Sequence, residues 1–121
     1  MVLRLEVTID CVDPARLAPF WCDALRYRQG PASGPYVTLY PIDRDGVPLV
    51  LQAVPEAKST KNRVHLDLYV EDMEEEVARL VALGATRLDP AVRAADGCHW
   101  VLLADPEGNE LCVCQDQPTR S

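Results

Sequence analysis

Two side chains that can bind a metal ion or move a proton stand at matching points of this chain. Glu6 lies seven residues before Asp13, and His65 lies seven residues before Asp72. Carboxylates and imidazoles are frequent ligands of divalent cations and frequent acid and base groups. Because both occur in similar surroundings, we hypothesise that one unit is used twice and that its two copies build one site.

The sequence around these residues repeats about 60 positions later. The segment EVTIDCVD precedes PARLAPFWCDALRY, and the segment HLDLYVED precedes MEEEVARLVALGA. Each half also contains a later Asp-x-x-Gly turn, at residues 43–46 and 105–108. The repeat therefore predicts a strand, a helix and further strands in each half.

Alternating apolar and polar residues predict the strands that position these two side chains. Residues 3–10 and 64–70 alternate with a period of two, so Glu6 and His65 lie on the polar faces of their strands. Asp67 shares the face of His65. If the two sheets curve toward each other, the polar faces line a shared cleft.

Capping residues predict the two helices. Asp13, followed by a proline, predicts a helix start, whereas Pro19 predicts a kink or a later start. Asp72 forms a capping-box pattern with a glutamate three residues on, and Gly84 ends the second helix. The remaining segments are predicted as strands at 36–41, 47–54, 99–104 and 109–114, a loop at 28–36, and a loop with or without one short strand at 85–98.

The composition excludes several classes of function. With 121 residues, 48% of them hydrophobic, the chain fits a single domain, and its net charge of −7 argues against a nucleic acid partner. No apolar run approaches the length needed to cross a membrane. The five cysteines lack a Cys-x-x-Cys spacing, which indicates reduced thiols and a cytoplasmic location. A small basic cluster, Lys58, Lys61 and Arg63, is interpreted as a solvated linker between the halves.

Four segments carry a resemblance to a known family: VTIDCVDPARLAPFWCDAL, LVLQAVPE, NRVHLDLYVEDMEEEVARLVALGA and WVLLADPEGNELCVC. The chain resembles the vicinal oxygen chelate superfamily, which includes glyoxalase I, bleomycin-resistance proteins and extradiol dioxygenases, and most of all its small glyoxalase-like domain proteins. The resemblance implies an α+β fold with two tandem βαβββ modules, whose open, curved, barrel-like mixed sheet surrounds a cleft with the helices outside. It assigns residues 1–56 and 63–116 to the modules and 57–62 to the linker of one domain, and it implies a homodimer.

In metal-using members of this superfamily, the ligands come from the first and last strands of each module. The resemblance therefore implies Glu6 and His65 as first-strand ligands of a divalent ion: zinc, nickel, iron or manganese. The last-strand position of the second half falls on Cys112, seven residues after the aspartate of its turn, where the family usually has a glutamate. In the first half we choose Gln52, although an alignment on the turns selects Val50.

Other side chains are candidates for acid–base work and for ligand contacts. Glu110 lies two residues before Cys112 on the same strand face and offers a second carboxylate besides Glu6. A small-molecule pocket often has aromatic walls, although a tryptophan here could equally anchor a hairpin. The candidate wall residues are Tyr36, Tyr40, Tyr69, His99 and Trp100.

Three functions are compatible with the sequence. The incomplete ligand set favours a cytoplasmic protein of the glyoxalase and bleomycin-resistance type that binds a small organic molecule without a complete metal site. The alternative is a metal-dependent lyase, isomerase or dioxygenase that acts on a small oxygenated substrate. An accessory module without activity is a third reading.

Overall fold

The computed structural model describes residues 1–2, 4–95 and 97–116. Leu3, which the alternation places on the apolar face of the first strand, lies outside the described residues. The chain divides into two compact units between Ser59 and Thr60, inside the segment interpreted as a linker. Each unit combines one helix with an open mixed sheet, which confirms the α+β fold in two modules.

The first module has the βαβββ order. Its elements are β1 (Val7–Cys11), α1 (Pro14–Leu25), β2 (Tyr27–Ser33), β3 (Tyr36–Pro41) and β4 (Leu49–Ala53). The strands lie in the order β1-β4-β3-β2, with β1 parallel to β4 and the other pairs antiparallel. The first strand of the module therefore pairs with its last strand.

The second module repeats this order with one interruption. Its elements are β5 (Leu66–Tyr69), α2 (Met73–Leu83), β6 (Thr86–Arg87), β7 (Arg93–Ala95), β8 (Cys98–Ala104) and β9 (Glu110–Asp116). The first strand β5 pairs in parallel with the last strand β9, and β9 pairs with β8. Two short strands, β6 and β7, pair with different parts of β8, so together they occupy the place of β2.

The structure corrects two loop predictions. Residues 27–33 form β2, because this strand needs only backbone pairing with β3 at the edge of the sheet and carries no apolar alternation. Gly30 and Pro31 lie in the stretch where the register shifts, between Gln29 and Ala32, as expected for a proline at an edge or a bulge. Residues 85–98 hold two short strands and the start of β8, not at most one short strand.

The first helix begins at Pro14 and continues beyond Pro19 to Leu25, so the predicted later start is wrong. Pro19 is exposed and removes one backbone hydrogen bond, whereas the opposite face of the helix buries Leu17 and Trp21 in the core. Burial of large apolar side chains outweighs that loss. Neither helix in the described part of the chain is long and apolar enough to cross a membrane.

The predicted alternation is confirmed within β1 and β5, but both strands begin later than the predicted 3–10 and 64–70, and Leu5 and Val64 before them are exposed. In β5, Leu66 and Leu68 are half-buried while Asp67 and Tyr69 are exposed. Helix α2 packs against β8 and β9 through its apolar stripe of Met73, Val77 and Leu80. The second sheet therefore has one face covered by its helix and one face that carries polar side chains.

Asp105 fastens the turn that joins β8 to β9. Its carboxylate accepts hydrogen bonds from the backbone N–H of Glu107 at 2.8 Å, the backbone N–H of Asn109 at 2.9 Å and the side-chain amide of Asn109 at 3.0 Å. Asp105 is only 2% exposed. This turn fixes the register of the hairpin, in which Leu102 lies opposite Cys112.

We predict that Asp105→Ala lowers the free energy of unfolding by about 3 kcal/mol, since the substitution leaves buried donors unpaired. Urea denaturation measures this loss. Asp43→Ala, at the matching turn of the first module, is the control, because Asp43 is exposed and its contact with Arg26 is 3.8 Å long. We expect the control to lose less than about 0.5 kcal/mol. Equal losses in the two variants would contradict the structural role of Asp105.

Candidate functional site

The polar face of the second sheet forms a concavity of about 700 Å³, here called the second-module pocket. Its floor consists of alternate residues of β5, β8 and β9, because side chains two apart on a strand share a face. Residues of β7 and of the segment before β5 complete the wall. The lining residues are Lys61, His65, Asp67, Tyr69, Arg93, Ala95, Cys98, Trp100, Leu102, Glu110, Cys112, Cys114 and Asp116.

Three of the side chains that line this pocket lie close together. His65 Nε2 lies 3.1 Å from Asp67 Oδ1, and Asp67 lies opposite Cys112 in the β5–β9 pairing. The ligand atoms of His65, Asp67 and Cys112 all lie within 4.8 Å of one another. We call these residues the donor trio. The side chains of His65 and Asp67 are a little under half exposed, whereas Cys112 is buried.

Burial and a neighbouring carboxylate keep the thiols of Cys112 and Cys114 protonated. Burial, together with the negative charge of Asp67 and the hydrogen bond that Asp67 accepts from the thiol, raises the pKa of Cys112 to about 11. Lys61 acts in the opposite direction. Burial likewise raises the pKa of Cys114 to about 12, with Asp67 and Cys98 contributing. Both groups are therefore neutral thiols at pH 7.

The segment interpreted as a solvated linker contributes to the pocket. Lys61 lines the wall, and the backbone N–H of Asn62 donates a hydrogen bond to Glu110 Oε1 at 3.3 Å. Glu110 and Cys112 both line the pocket, two residues apart on one face of β9. The carboxylate proposed for acid–base work thus lies in the same pocket as the donor trio.

Strand register corrects the position assigned to Gln52. Val7 pairs with Leu49 in the first module as Leu66 pairs with Leu111 in the second, so Val50 is the counterpart of Cys112. Gln52 is instead the counterpart of Cys114 and lies opposite Asp10. Val50 is buried and has no donor atom. The alignment on the turns, which selected Val50, gave the correct position.

Glu6 lies just before β1 and contacts a neighbouring residue of its own module. Its carboxylate is 3.4 Å from the guanidinium of Arg4, and both side chains reach solvent. The first-module counterparts of the donor trio are Glu6, Thr8 and Val50. That Glu6 and His65 face one cleft stays a prediction.

Of the predicted aromatic wall, the second-module pocket contains Tyr69 and Trp100. His99 precedes Trp100 on the same strand, so it lies on the opposite face, and its predicted place in the pocket is wrong. Its register partner Gln115 accepts a hydrogen bond from the backbone N–H of Met73 at the start of α2, at 2.8 Å. His99 therefore belongs to the helix side of the sheet.

The two first-module tyrosines share one face of β3. Tyr36 is exposed and lies opposite Gln52. The guanidinium of Arg28 stands over the Tyr40 ring at 5.0 Å from its centre. Their assignment as ligand contacts stays a prediction.

Asp67 was not predicted as a site residue. Alternation places it on the face of His65, but the candidate metal ligands were taken from positions that match between the two halves, and the match of Asp67 is Thr8. The strand face that Asp67 shares with His65 was the better indication that Asp67 belongs to the site. The same period of two marks Cys98 and Cys114 as pocket residues once Trp100 and Cys112 are placed there.

Comparisons with known proteins agree with this architecture. A family model described as "Glyoxalase-like domain" matches residues 6–114. A glyoxalase/bleomycin resistance protein/dioxygenase family enzyme from Burkholderia phytofirmans PsJN is 16% identical, with a TM-score of 0.75 over 92% of this chain and 96% of that chain. No curated protein matches the chain.

Two further solved structures have the same fold. A member of the glyoxalase/bleomycin resistance protein/dioxygenase superfamily from Sphaerobacter thermophilus DSM 20745 is 16% identical, with a TM-score of 0.72 over 96% of this chain and 98% of that chain. TioX from Micromonospora sp. ML1 is 19% identical, with a TM-score of 0.61 over 98% of this chain and 99% of that chain. At such identities, the likeness shows the fold alone.

We predict that Cys112 and Cys114 resist alkylation in the folded, chelator-treated protein at pH 8. Only the thiolate reacts, and a rise of pKa from 9.0 to about 11 makes the Cys112 thiolate roughly 100-fold rarer than in the unfolded chain. Timed iodoacetamide labelling with peptide mass mapping compares native and urea-unfolded protein. Labelling of Cys112 at equal rates in both would contradict the raised pKa.

The raised pKa of Cys112 also predicts that the folded protein loses stability at alkaline pH. Since folding raises the pKa of Cys112 above 9.0, the stabilising effect of its neutral thiol is complete below pH 9 and is lost as the pH rises through about 11. Cys112→Val removes the titrating group at similar size. The free energy of unfolding of this variant should therefore fall less steeply than that of the wild type between pH 9 and 11.

Proposed function

Because the chain belongs to the glyoxalase-like domain family, we propose that it binds a small organic molecule in the second-module pocket. The pocket itself carries this proposal. Its volume of about 700 Å³ lies within the range of small-molecule sites. Such binding requires no catalytic step and no residue outside the pocket.

The wall residues favour an oxygenated aromatic ligand. Trp100 and Tyr69 offer ring surfaces for an aromatic group. Lys61 and Arg93 offer positive charge, whereas Asp67 offers an acceptor, so a ligand that carries hydroxyl or carboxylate groups finds partners of both signs. The ligand therefore combines an aromatic ring with polar oxygen substituents.

The strand register supports a binding protein over a metal enzyme of the usual superfamily type. With Val50 at the last-strand position of the first module, the ligand set that the resemblance implies lacks one donor. A cytoplasmic location is part of this proposal, since the cysteines of the pocket are free thiols. The homodimer implied by the resemblance stays a prediction.

We predict that a panel of oxygenated aromatic compounds, including catechol and salicylate, contains members that bind saturably and contact Trp100. Trp100→Ala should weaken their binding about 10-fold, since loss of one aromatic contact costs about 1.4 kcal/mol. His99→Ala is the matched control, because His99 is the next residue on the same strand but lies on the opposite face. Calorimetry or ligand-detected NMR measures the dissociation constants in the presence of a chelator.

Equal weakening by the two substitutions would contradict binding in the second-module pocket. Absence of saturable binding by every compound of the panel would contradict the proposed ligand class. Far-ultraviolet circular dichroism of each variant confirms that the fold is kept.

A metal-dependent lyase or isomerase is the second candidate, and the donor trio is the observation that favours it. A bound divalent ion would supply Lewis acidity that polarises the oxygens of a substrate. Glu110, in the same pocket, has the chemistry to move a proton at the adjacent carbon. Exchange of the carbon-bound protons of dihydroxyacetone in D₂O, followed by NMR and abolished by Glu110→Gln, would support this candidate over simple binding.

A further inference from the structure

We infer that Cys98 and Cys114 form a thiol pair that peroxide oxidises to a disulfide inside the second-module pocket. The inference goes beyond the proposed function, because binding of an organic molecule requires no oxidation. It rests on two thiols that the pairing of β8 with β9 brings together on one face of the sheet. Neither residue belongs to the donor trio.

The register of β8 and β9 places the two cysteines on a diagonal. Cys98 lies opposite Asp116, and Cys114 lies opposite Trp100, on neighbouring antiparallel strands. Both cysteines line the pocket, so their side chains point to the same side of the sheet. They are therefore near neighbours across the two strands.

The two thiols are in contact. The Cys114 thiol donates a hydrogen bond to the sulfur of Cys98, and this sulfur also accepts one from the hydroxyl of Tyr69. The Cys98 thiol in turn donates to the backbone carbonyl of His99 at 3.3 Å. A disulfide requires the two sulfurs to close from this hydrogen-bonded contact to about 2 Å.

The position of Cys98 in its strand allows this movement. Diagonal neighbours lie about 7–8 Å apart between Cα atoms, whereas bridged cysteines usually lie within about 6.8 Å, so the backbone must move by about 1 Å. Cys98 is the first residue of β8 and follows the turn at Gly97, whose φ is 75°. Strand ends open at a lower free energy than strand centres, and the movement is made there.

Exposure gives the two thiols different roles. Cys98 is half-buried and can meet a small oxidant, whereas Cys114 is only 4% exposed. The Cys98 sulfur attacks one oxygen of hydrogen peroxide and forms an S–O bond as the O–O bond breaks. The hydroxide that leaves takes up the Cys98 proton as water, and Cys98 becomes a sulfenic acid.

Cys114 then resolves the sulfenic acid. Its sulfur attacks the Cys98 sulfur, the S–S bond forms, the S–O bond breaks, and the hydroxide that leaves takes up the Cys114 proton as water. Two thiols lose two electrons and two protons, and one peroxide is reduced to two waters. Contact with Cys98 compensates for the burial of Cys114, since a neighbouring group reacts at a high effective concentration.

The disulfide would change the aromatic part of the pocket. In the strand pairing, Cys114 lies between Tyr69 of β5 and Trp100 of β8. The new bond therefore lies on the surface between the two rings. In a reducing compartment, a disulfide of this kind is typically transient and redox-sensing.

Peroxide treatment of the full-length protein tests the inference. Reduced protein, in the presence of a chelator and without an organic ligand, is treated with hydrogen peroxide at pH 8 and then alkylated in urea. We expect a monomer that has lost two titratable thiols and two hydrogen atoms in mass, and dithiothreitol should restore both. Cleavage after Glu107 and Glu110 separates Cys98 from the other two pocket cysteines, so the disulfide should join two peptides.

Fragment spectra of the wild-type peptides and three variants identify the partner. Cys98→Ser should form no disulfide in the pocket, and Cys114→Ser should stop at a sulfenic acid on Cys98 that dimedone captures. Cys112→Ser is the matched control, because Cys112 lines the same pocket two residues before Cys114 but donates its hydrogen bond to Asp67. It should keep the disulfide.

Three outcomes would overturn the inference. The wild type could keep all five thiols at a peroxide dose that oxidises free cysteine, the disulfide could survive Cys114→Ser, or the wild-type fragment spectra could assign the bond to Cys112. The proposed function is tested separately, since aromatic compounds are titrated with the reduced protein and the oxidation needs no organic ligand.

Discussion

Parallel pairing between the first and last strands of each module is the constraint on which the site depends. In the second module, the pairing of β5 with β9 places Asp67 opposite Cys112, and the period of two along each strand brings His65 and Glu110 to the same face. A shift of one residue would turn these side chains toward α2. The hairpin turn held by Asp105 keeps β9 in this register, so the buried turn just before Glu110 helps to determine which side chains line the pocket.

The two modules show how one backbone arrangement can carry different chemistry. Their first and last strands pair in the same way, yet the positions of Asp67 and Cys112 are held by Thr8 and Val50 in the first module. Neither exchange disturbs the helix-covered face, because the changed side chains point to the other side of the sheet. The polar face can therefore diverge while the core stays constant, which explains why the fold alone does not establish the function.

Much of this fold could be predicted from the sequence, because alternation and capping residues are local signals. The bounds of α2 follow from Asp72 and Gly84, and both cap the helix as expected. The edge strand β2 could not be found in this way, since its residues bury little apolar surface and its stability comes from pairing with β3. Resemblance to a βαβββ unit, not periodicity, implied that a strand should lie there.

The site was predictable only in part. The sheet face on which a side chain lies is easier to infer from sequence than the side chains that it contacts on other strands. Alternation placed Asp67 with His65, but the meeting of both with Cys112 depends on the register of two strands that are more than 40 residues apart in the sequence. His99 illustrates the opposite error. Grouping it with Trp100 as neighbouring aromatic residues ignored the period of two, which separates adjacent residues to opposite faces.

Asp67 links the other two members of the donor trio. Asp67 accepts the hydrogen bond of the Cys112 thiol and also lies within 3.1 Å of His65, so one carboxylate holds the other two groups close together. Among the described residues, no buried side-chain nitrogen or oxygen lacks a hydrogen-bond partner. The carboxylate of Asp67 therefore keeps an imidazole and a thiol beside each other on the pocket surface, with no unsatisfied buried nitrogen or oxygen in the described part of the chain.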